Sequence, residues 1–165
     1  MTDRPIIKIE KSILQKLFDI AGLVFLCLSL GYLLLNWSGL PSEVPIHFDV
    51  AGQADHWGSK LVLFFLPIFG ILLWGGLSML ERYPHVFNYV VHITKGNAEL
   101  QYRTAVALIH FLKNTIALMF SVITIETISM ANGSQVGLIP WILPVFLTLI
   151  FGSIIICIIQ SIRWR

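Results

Sequence analysis

Charge is what this sequence has least of: Asp, Glu, Lys and Arg make up 12% of its 165 residues, while 56% are hydrophobic. A soluble single domain is excluded, because a water-facing surface needs more charge than this. Cysteine is almost absent. Cys27 and Cys157 lie far apart inside apolar runs, with no short metal-type spacing, and read as small packing residues and not as a disulfide. No Gly-x-Ser-x-Gly elbow, phosphate loop or Cys beside a His occurs, so a non-enzymatic protein is expected. Neither an internal repeat nor a low-complexity tract can be found.

Long apolar stretches are what is present. Four runs, at about 17–37, 61–80, 110–130 and 138–160, match the roughly 20 residues that cross a hydrocarbon core of about 30 Å. Lipid offers no partner to free backbone groups, so each run must be helical. The expected fold is an all-α integral membrane protein: one domain over 1–165, a four-transmembrane-helix bundle, with a short extended extracytoplasmic loop after the first helix. The lipid bilayer is its first partner.

The formal net charge of +2 reflects topology and not a nucleic-acid partner. Arg4, Lys8, Lys11 and Lys16 precede the first run, Arg82, Lys95 and Arg103 separate the second from the third, and Arg163 and Arg165 follow the fourth. The first loop has only Lys60 at its edge, and the third has no Lys or Arg. The positive-inside rule puts both termini in the cytoplasm and the first loop outside. The first run is too long for a signal-peptide core and leads into Asn36-Trp37-Ser38-Gly39 without a small-x-small site, so it is expected to persist as a span.

Gly96-Asn97 breaks the chain, Asn97 can cap a helix, and Glu99 falls in the first turn, which predicts a third helix starting near 98 in the cytoplasm. Glu99, Arg103, His110, Asn114, Ala117, Ser121 and Thr124 form a polar-to-small stripe along it, suited to packing and to hydroxyl bonds across helix interfaces. Lys113, one turn inside, is expected to snorkel to the headgroups. Glu126 is expected near the outer boundary, under the first loop. Pro140, Pro144, Thr148 and Gly152 give the fourth helix a second small-residue face, with a kink at Pro144; Pro67 does likewise in the second. Gly22, Ser29 and Asn36 form a seam in the first helix, for contact within the bundle or between copies in a homo-oligomer or with another membrane partner. Trp37, Trp57, Trp141 and Trp164 read as interfacial anchors and Trp74 as packing.

Chemistry concentrates in the first loop. Val44, Ile46, Phe48 and Val50 alternate with Glu43, Pro45, His47 and Asp49, the pattern of an amphipathic strand with His47 and Asp49 on one face. Ala51-Gly52-Gln53 supplies a turn after which Asp55 and His56 can fold back toward His47. Two readings stay open. His47, Asp49, Asp55 and His56, with Glu126 beneath, suit a divalent metal such as zinc, which accepts mixed nitrogen and oxygen donors. Alternatively, His47 and Asp49 bond each other or the turn backbone and fix a lid or ligand-reading surface.

The loop residues Leu40-Pro41, Val44-Pro45-Ile46-His47-Phe48-Asp49, Gly52, Asp55 and Trp57-Gly58-Ser59-Lys60 resemble the signature of the bacterial membrane family called domain of unknown function 1648, whose best-known relatives are SdpI-type immunity proteins. The likeness extends into Glu81-Arg82-Tyr83-Pro84-His85-Val86-Phe87-Asn88-Tyr89 and Asn97-Ala98-Glu99-Leu100-Gln101-Tyr102-Arg103, as in short stand-alone members. Longer relatives add a Gly-Ile-Arg-Thr-Pro-Trp-like motif that this sequence does not contain. The resemblance implies a bacterial plasma-membrane protein, related to immunity against a secreted toxic peptide and to signalling of its presence. The expected function is recognition of an extracellular peptide or envelope signal through the loop; the alternative is a small cation-binding or transport protein using the same loop.

Overall fold

The computed structural model describes residues 4–49, 51–134 and 139–165. Val50, and Leu138 at the predicted start of the fourth run, lie outside the described residues. Four long apolar helices dominate: α1 (Ile13–Asn36), α2 (Phe65–Leu80), α3 (Ala98–Ala131) and α4 (Ile139–Arg163). Each is long and apolar enough to span a bilayer once a 3-10 turn at Lys60–Phe64 is joined to α2. The chain is a multi-pass membrane protein. Its direction reverses at every connection, so the α1–α2 and α3–α4 links share one end, and residues 4–12 and the α2–α3 segment share the other, called the base below.

Local chemistry sets the helix ends. Ser12 and Gln15 form a reciprocal capping box, which starts α1 four residues before the predicted 17. The onset of α3 at Ala98 agrees with the expectation, but not through the predicted cap. Asn97 turns backward, its Oδ1 accepting from Thr94 N and its Nδ2 donating to His92 O, and makes no side-chain bond to the helix. With 34 residues, α3 is about 50 Å long and packs against the other three helices. By contrast α4 lies mainly against α3 and keeps a broad apolar surface exposed, as a lipid-facing helix does.

The inner stripe of α3 packs as expected, with Ala117, Ser121 and Thr124 buried. Its hydroxyls do not bond across interfaces, however. Ser121 donates to Ala117 O and Thr124 to Phe120 O, satisfying themselves on their own helix and leaving packing to shape. Gly22 and Ser29 of the proposed seam are buried within the bundle. A Cβ at Gly22 would lie 2.4 Å from Asn114 Oδ1, so glycine there lets α1 approach a polar side chain of α3.

Between α1 and α2 the expected extended loop is an antiparallel hairpin, β1 (Glu43–Phe48) and β2 (Ala54–Ser59). It rests on the bundle through Val44, which is fully buried with Leu33, Leu40, Leu63 and Ile128. The predicted alternation fails beyond Val44: Pro45 is buried and Ile46 exposed. The register explains this. Pro45 pairs with Trp57 and His47 with His56, which leaves Ile46 as an extra residue on β1; Phe48 then pairs with Ala54, which leaves Asp55 extra on β2. Two compensating bulges therefore reset which side chains face the bundle.

Candidate functional site

Both bulges bear on chemistry. Neighbouring residues of a regular strand point to opposite faces, but the irregularity at Asp55 lets it and His56 face His47 together. His47 Nδ1 donates to Asp55 Oδ1 at 2.6 Å, and His56 Nδ1 lies 3.3 Å from the same oxygen. The two imidazoles meet edge to face at 5.6 Å. One donor atom from each of the three lies within 4.8 Å of the others, and all three side chains are exposed. The bond from His47 chiefly holds the Asp55 carboxyl below its ordinary value, opposed by desolvation and helped by a weaker bond from His56.

Asp49 does not join them. Its Oδ1 accepts from Ala51 N at 2.9 Å and Gln53 N at 2.8 Å, so it shapes the turn, as short acidic side chains do. Glu126 is half-buried on α3 and is likewise outside the group. The five-residue set expected for a metal thus divides: His47, Asp55 and His56 converge, while Asp49 and Glu126 do not. Three donors would leave a position open for water or for a group of an incoming ligand.

The other motif residues hold this surface in place. Lys60 Nζ donates to Trp37 O at 3.0 Å and Leu40 O at 3.3 Å and lies 4.5 Å over the Trp37 ring, which ties the end of β2 to the end of α1. Ser59 Oγ accepts from Leu61 N and starts the 3-10 turn. A Cβ at Gly58 would lie 2.9 Å from the end of the exposed Ile46 side chain, so a larger residue there has to displace Ile46. Gly52 has φ +77°, and a Cβ on it would lie 2.5 Å from Pro140 Cγ, so the hairpin tip sits against the start of α4. Pro45 is buried beside Val44, whereas Pro41 is exposed ahead of β1 and Trp57 is exposed on β2; Phe48 is half-buried.

A second polar centre lies at the base, and the sequence reading missed it. Lys113, expected to snorkel, has a fully buried side chain. Its Nζ meets Asp19 Oδ1 of α1 at 2.9 Å, Ser78 Oγ of α2 at 2.8 Å and Glu81 at 3.0 Å. Two carboxylates lie within ion-pair distance of its ammonium inside the bundle, so pairing replaces snorkelling. Lys11, from the segment before α1, reaches the same two acids, at 2.6 Å from Asp19 Oδ2 and also against Glu81. Burial opposes the Lys11 charge, but these two acids outweigh it and push its pKa up.

Deeper in, Asn114 Nδ2 donates to Asp19 Oδ1 at 3.0 Å, and its Oδ1 accepts from Trp74 Nε1 at 3.0 Å. Trp74, expected only to pack, also carries Lys113 Nζ 4.6 Å from its ring centroid. His110 Nε2 lies 3.0 Å from Gln15 O and 3.1 Å from Asp19 Oδ1; both are acceptors, so the fitting tautomer has its proton on Nε2. One signal was available in the sequence: Asp19 is a lone carboxylate inside the first apolar run, and such residues almost always have a partner.

No curated protein and no solved structure matches this chain. What does match is a family model described as Domain of unknown function (DUF1648), over residues 24–71, the stretch from α1 through the hairpin into α2.

Proposed function

We propose that this protein is a non-enzymatic bacterial plasma-membrane binding protein that recognises an extracellular peptide or envelope signal through the 43–59 hairpin, in an immunity or stress response. One observation carries the reading: the hairpin is fixed to the bundle by Val44 and Lys60, yet His47 and His56 meet in the open and Ile46 and Trp57 are exposed on the same two strands. Order without burial is what a preorganised recognition surface needs. Basic residues support the outward orientation, since they collect at the base, while Lys60 at the hairpin end is held by carbonyls. The test is sensitivity to secreted antimicrobial peptides in cells lacking the gene. Loss of protection, copied by Trp57→Ala or His47→Ala in a chain still inserted at normal levels, supports it; unchanged sensitivity on deletion removes it.

The convergence of His47, Asp55 and His56 favours a second reading, a divalent cation such as zinc bound at the same surface, for cation binding or transport. Zinc titration of purified protein decides it: stoichiometric uptake that disappears in His47→Ala supports it, and no uptake in zinc-supplemented buffer eliminates it.

A further inference from the structure

The base holds two carboxylates and two ammonium groups in an alternating arrangement. Asp19 and Glu81 each contact both Lys113 and Lys11. The two lysines differ in how they are held. Lys113 belongs to α3, is wholly buried and has Ser78 as a further acceptor, so it is a fixed part of the site. Lys11 comes from the segment ahead of α1 and is 26% exposed; its amine reaches the acids from the side of a cavity of about 680 Å³. Trp74, Ser78 and Val106 help to line that cavity, and Lys8 and Arg82, both exposed, line it too.

Lys11 is therefore a primary ammonium occupying a place that the cavity can reach. Four charges in the arrangement sum to zero, so withdrawing Lys11 leaves one buried negative charge uncompensated, which is strongly unfavourable. The oxygens that Lys11 holds are Asp19 Oδ2 and Glu81 Oε2, and the Glu81 side chain is only 2% exposed, so a donor taking the place of Lys11 must satisfy both. Around the same cavity, Lys8 and Arg82 offer positive charge; Lys8 Nζ lies 3.6 Å from Glu10 Oε1, and the Arg82 side chain has no ion pair or hydrogen bond among the described residues. A ligand matching both features carries a primary ammonium at one end and an anionic group close behind it.

We propose that this cavity binds the phosphoethanolamine headgroup of a membrane phospholipid, its ammonium taking the place of Lys11 between Asp19 and Glu81 and its phosphate meeting Arg82 and Lys8. The cavity lies at the ends of α1 and α2, the level at which the spans leave the hydrocarbon, so the headgroup layer is the nearest source of such a ligand. A choline headgroup has the same phosphate but no N–H, and a glycerol headgroup has no ammonium; neither can replace Lys11. The site is at the opposite end from the hairpin and stands or falls independently of what the hairpin binds.

Native mass spectrometry of the full chain from micelles doped with phosphatidylethanolamine, phosphatidylcholine or phosphatidylglycerol reads this directly. The ethanolamine lipid should be retained over the choline lipid by roughly tenfold or more, since a buried charge-assisted pair is at stake. Lys11→Met, which removes the tethered competitor, should widen that preference. Arg82→Gln and Lys8→Gln, at exposed positions where folding is not at risk, should reduce retention of the ethanolamine and choline lipids alike. Free O-phosphoethanolamine should compete weakly; if it binds while the lipid is not retained, the lipid source is overturned. Equal retention of ethanolamine and choline lipids in wild type and in Lys11→Met overturns the proposal outright.

Discussion

Lys113 and Asp19 join α3 to α1 through a buried ion pair. An ammonium buried among apolar helices persists only because two carboxylates and a serine hydroxyl surround it. Lys113→Met should lower stability by roughly 3–5 kcal/mol, the usual cost of leaving a buried partner unpaired. Adding Glu81→Gln should recover part of that loss instead of deepening it, because one excess negative charge is removed. Thermal unfolding of the two variants in detergent checks both, and further destabilisation by the second change would contradict the pairing. At the hairpin, Asp49 and Asp55 should separate cleanly. Asp49→Ala removes the acceptor of Ala51 and Gln53, so it should cost about 0.5–1.5 kcal/mol of turn stability, read by amide exchange, and leave any zinc uptake intact. Asp55→Asn should abolish that uptake. These roles were only half legible in the sequence: period-two spacing put His47 near Asp49, but a short acidic side chain beside a glycine turn had nearer backbone donors to satisfy.

At the scale of elements, the helices and the strand-and-turn course of the first loop were readable, and the register of the hairpin was not. Apolar run length gave the first, second and fourth helices within a few residues, because lipid leaves the backbone no other choice, while the third begins twelve residues before its apolar run, where Gly96-Asn97 placed it. Strand register has no such external constraint, and two bulges that cancel leave no trace in an alternating pattern. The hairpin's acid behaviour follows from its ion pair. Asp55 has a folded-state pKa below the ordinary 3.8, so its contribution is complete above that value and disappears as pH falls through the folded one. Amide protection across Glu43–Phe48 and Ala54–Ser59 should therefore keep this contribution down to pH 3.8 and lose it only below; a carboxylate-linked loss well above 3.8 would contradict the pairing. Gly52→Ala should weaken the same element by more than the roughly 1–2 kcal/mol that a left-handed residue costs, since its Cβ also meets Pro140. Exchange at the hairpin tip measures that effect.

For the whole molecule, two polar centres sit at opposite ends of an apolar bundle, one exposed and one largely buried. The exposed centre is on the part of the chain that matches the family model, while the buried one gathers Lys11, Asp19, Glu81 and Lys113 from outside residues 24–71. Long-range convergence of this kind was hidden because its members are about 100 residues apart, from Lys11 to Lys113, and all but Asp19 read alone as boundary charges. The outward orientation proposed for the hairpin predicts that a cysteine placed at His56 reacts with an impermeant maleimide from outside intact cells and that one at His92 does not; the reverse pattern would overturn that orientation. The central claim is that the exposed hairpin surface is where this protein acts. It is tested most directly by comparing cells that lack the gene with cells carrying His47→Ala, His56→Ala and Trp57→Ala together, scored for survival under secreted antimicrobial peptides at matched membrane levels. The triple variant should be as sensitive as the deletion; full protection by it, while the deletion is sensitive, would place the function elsewhere in the molecule.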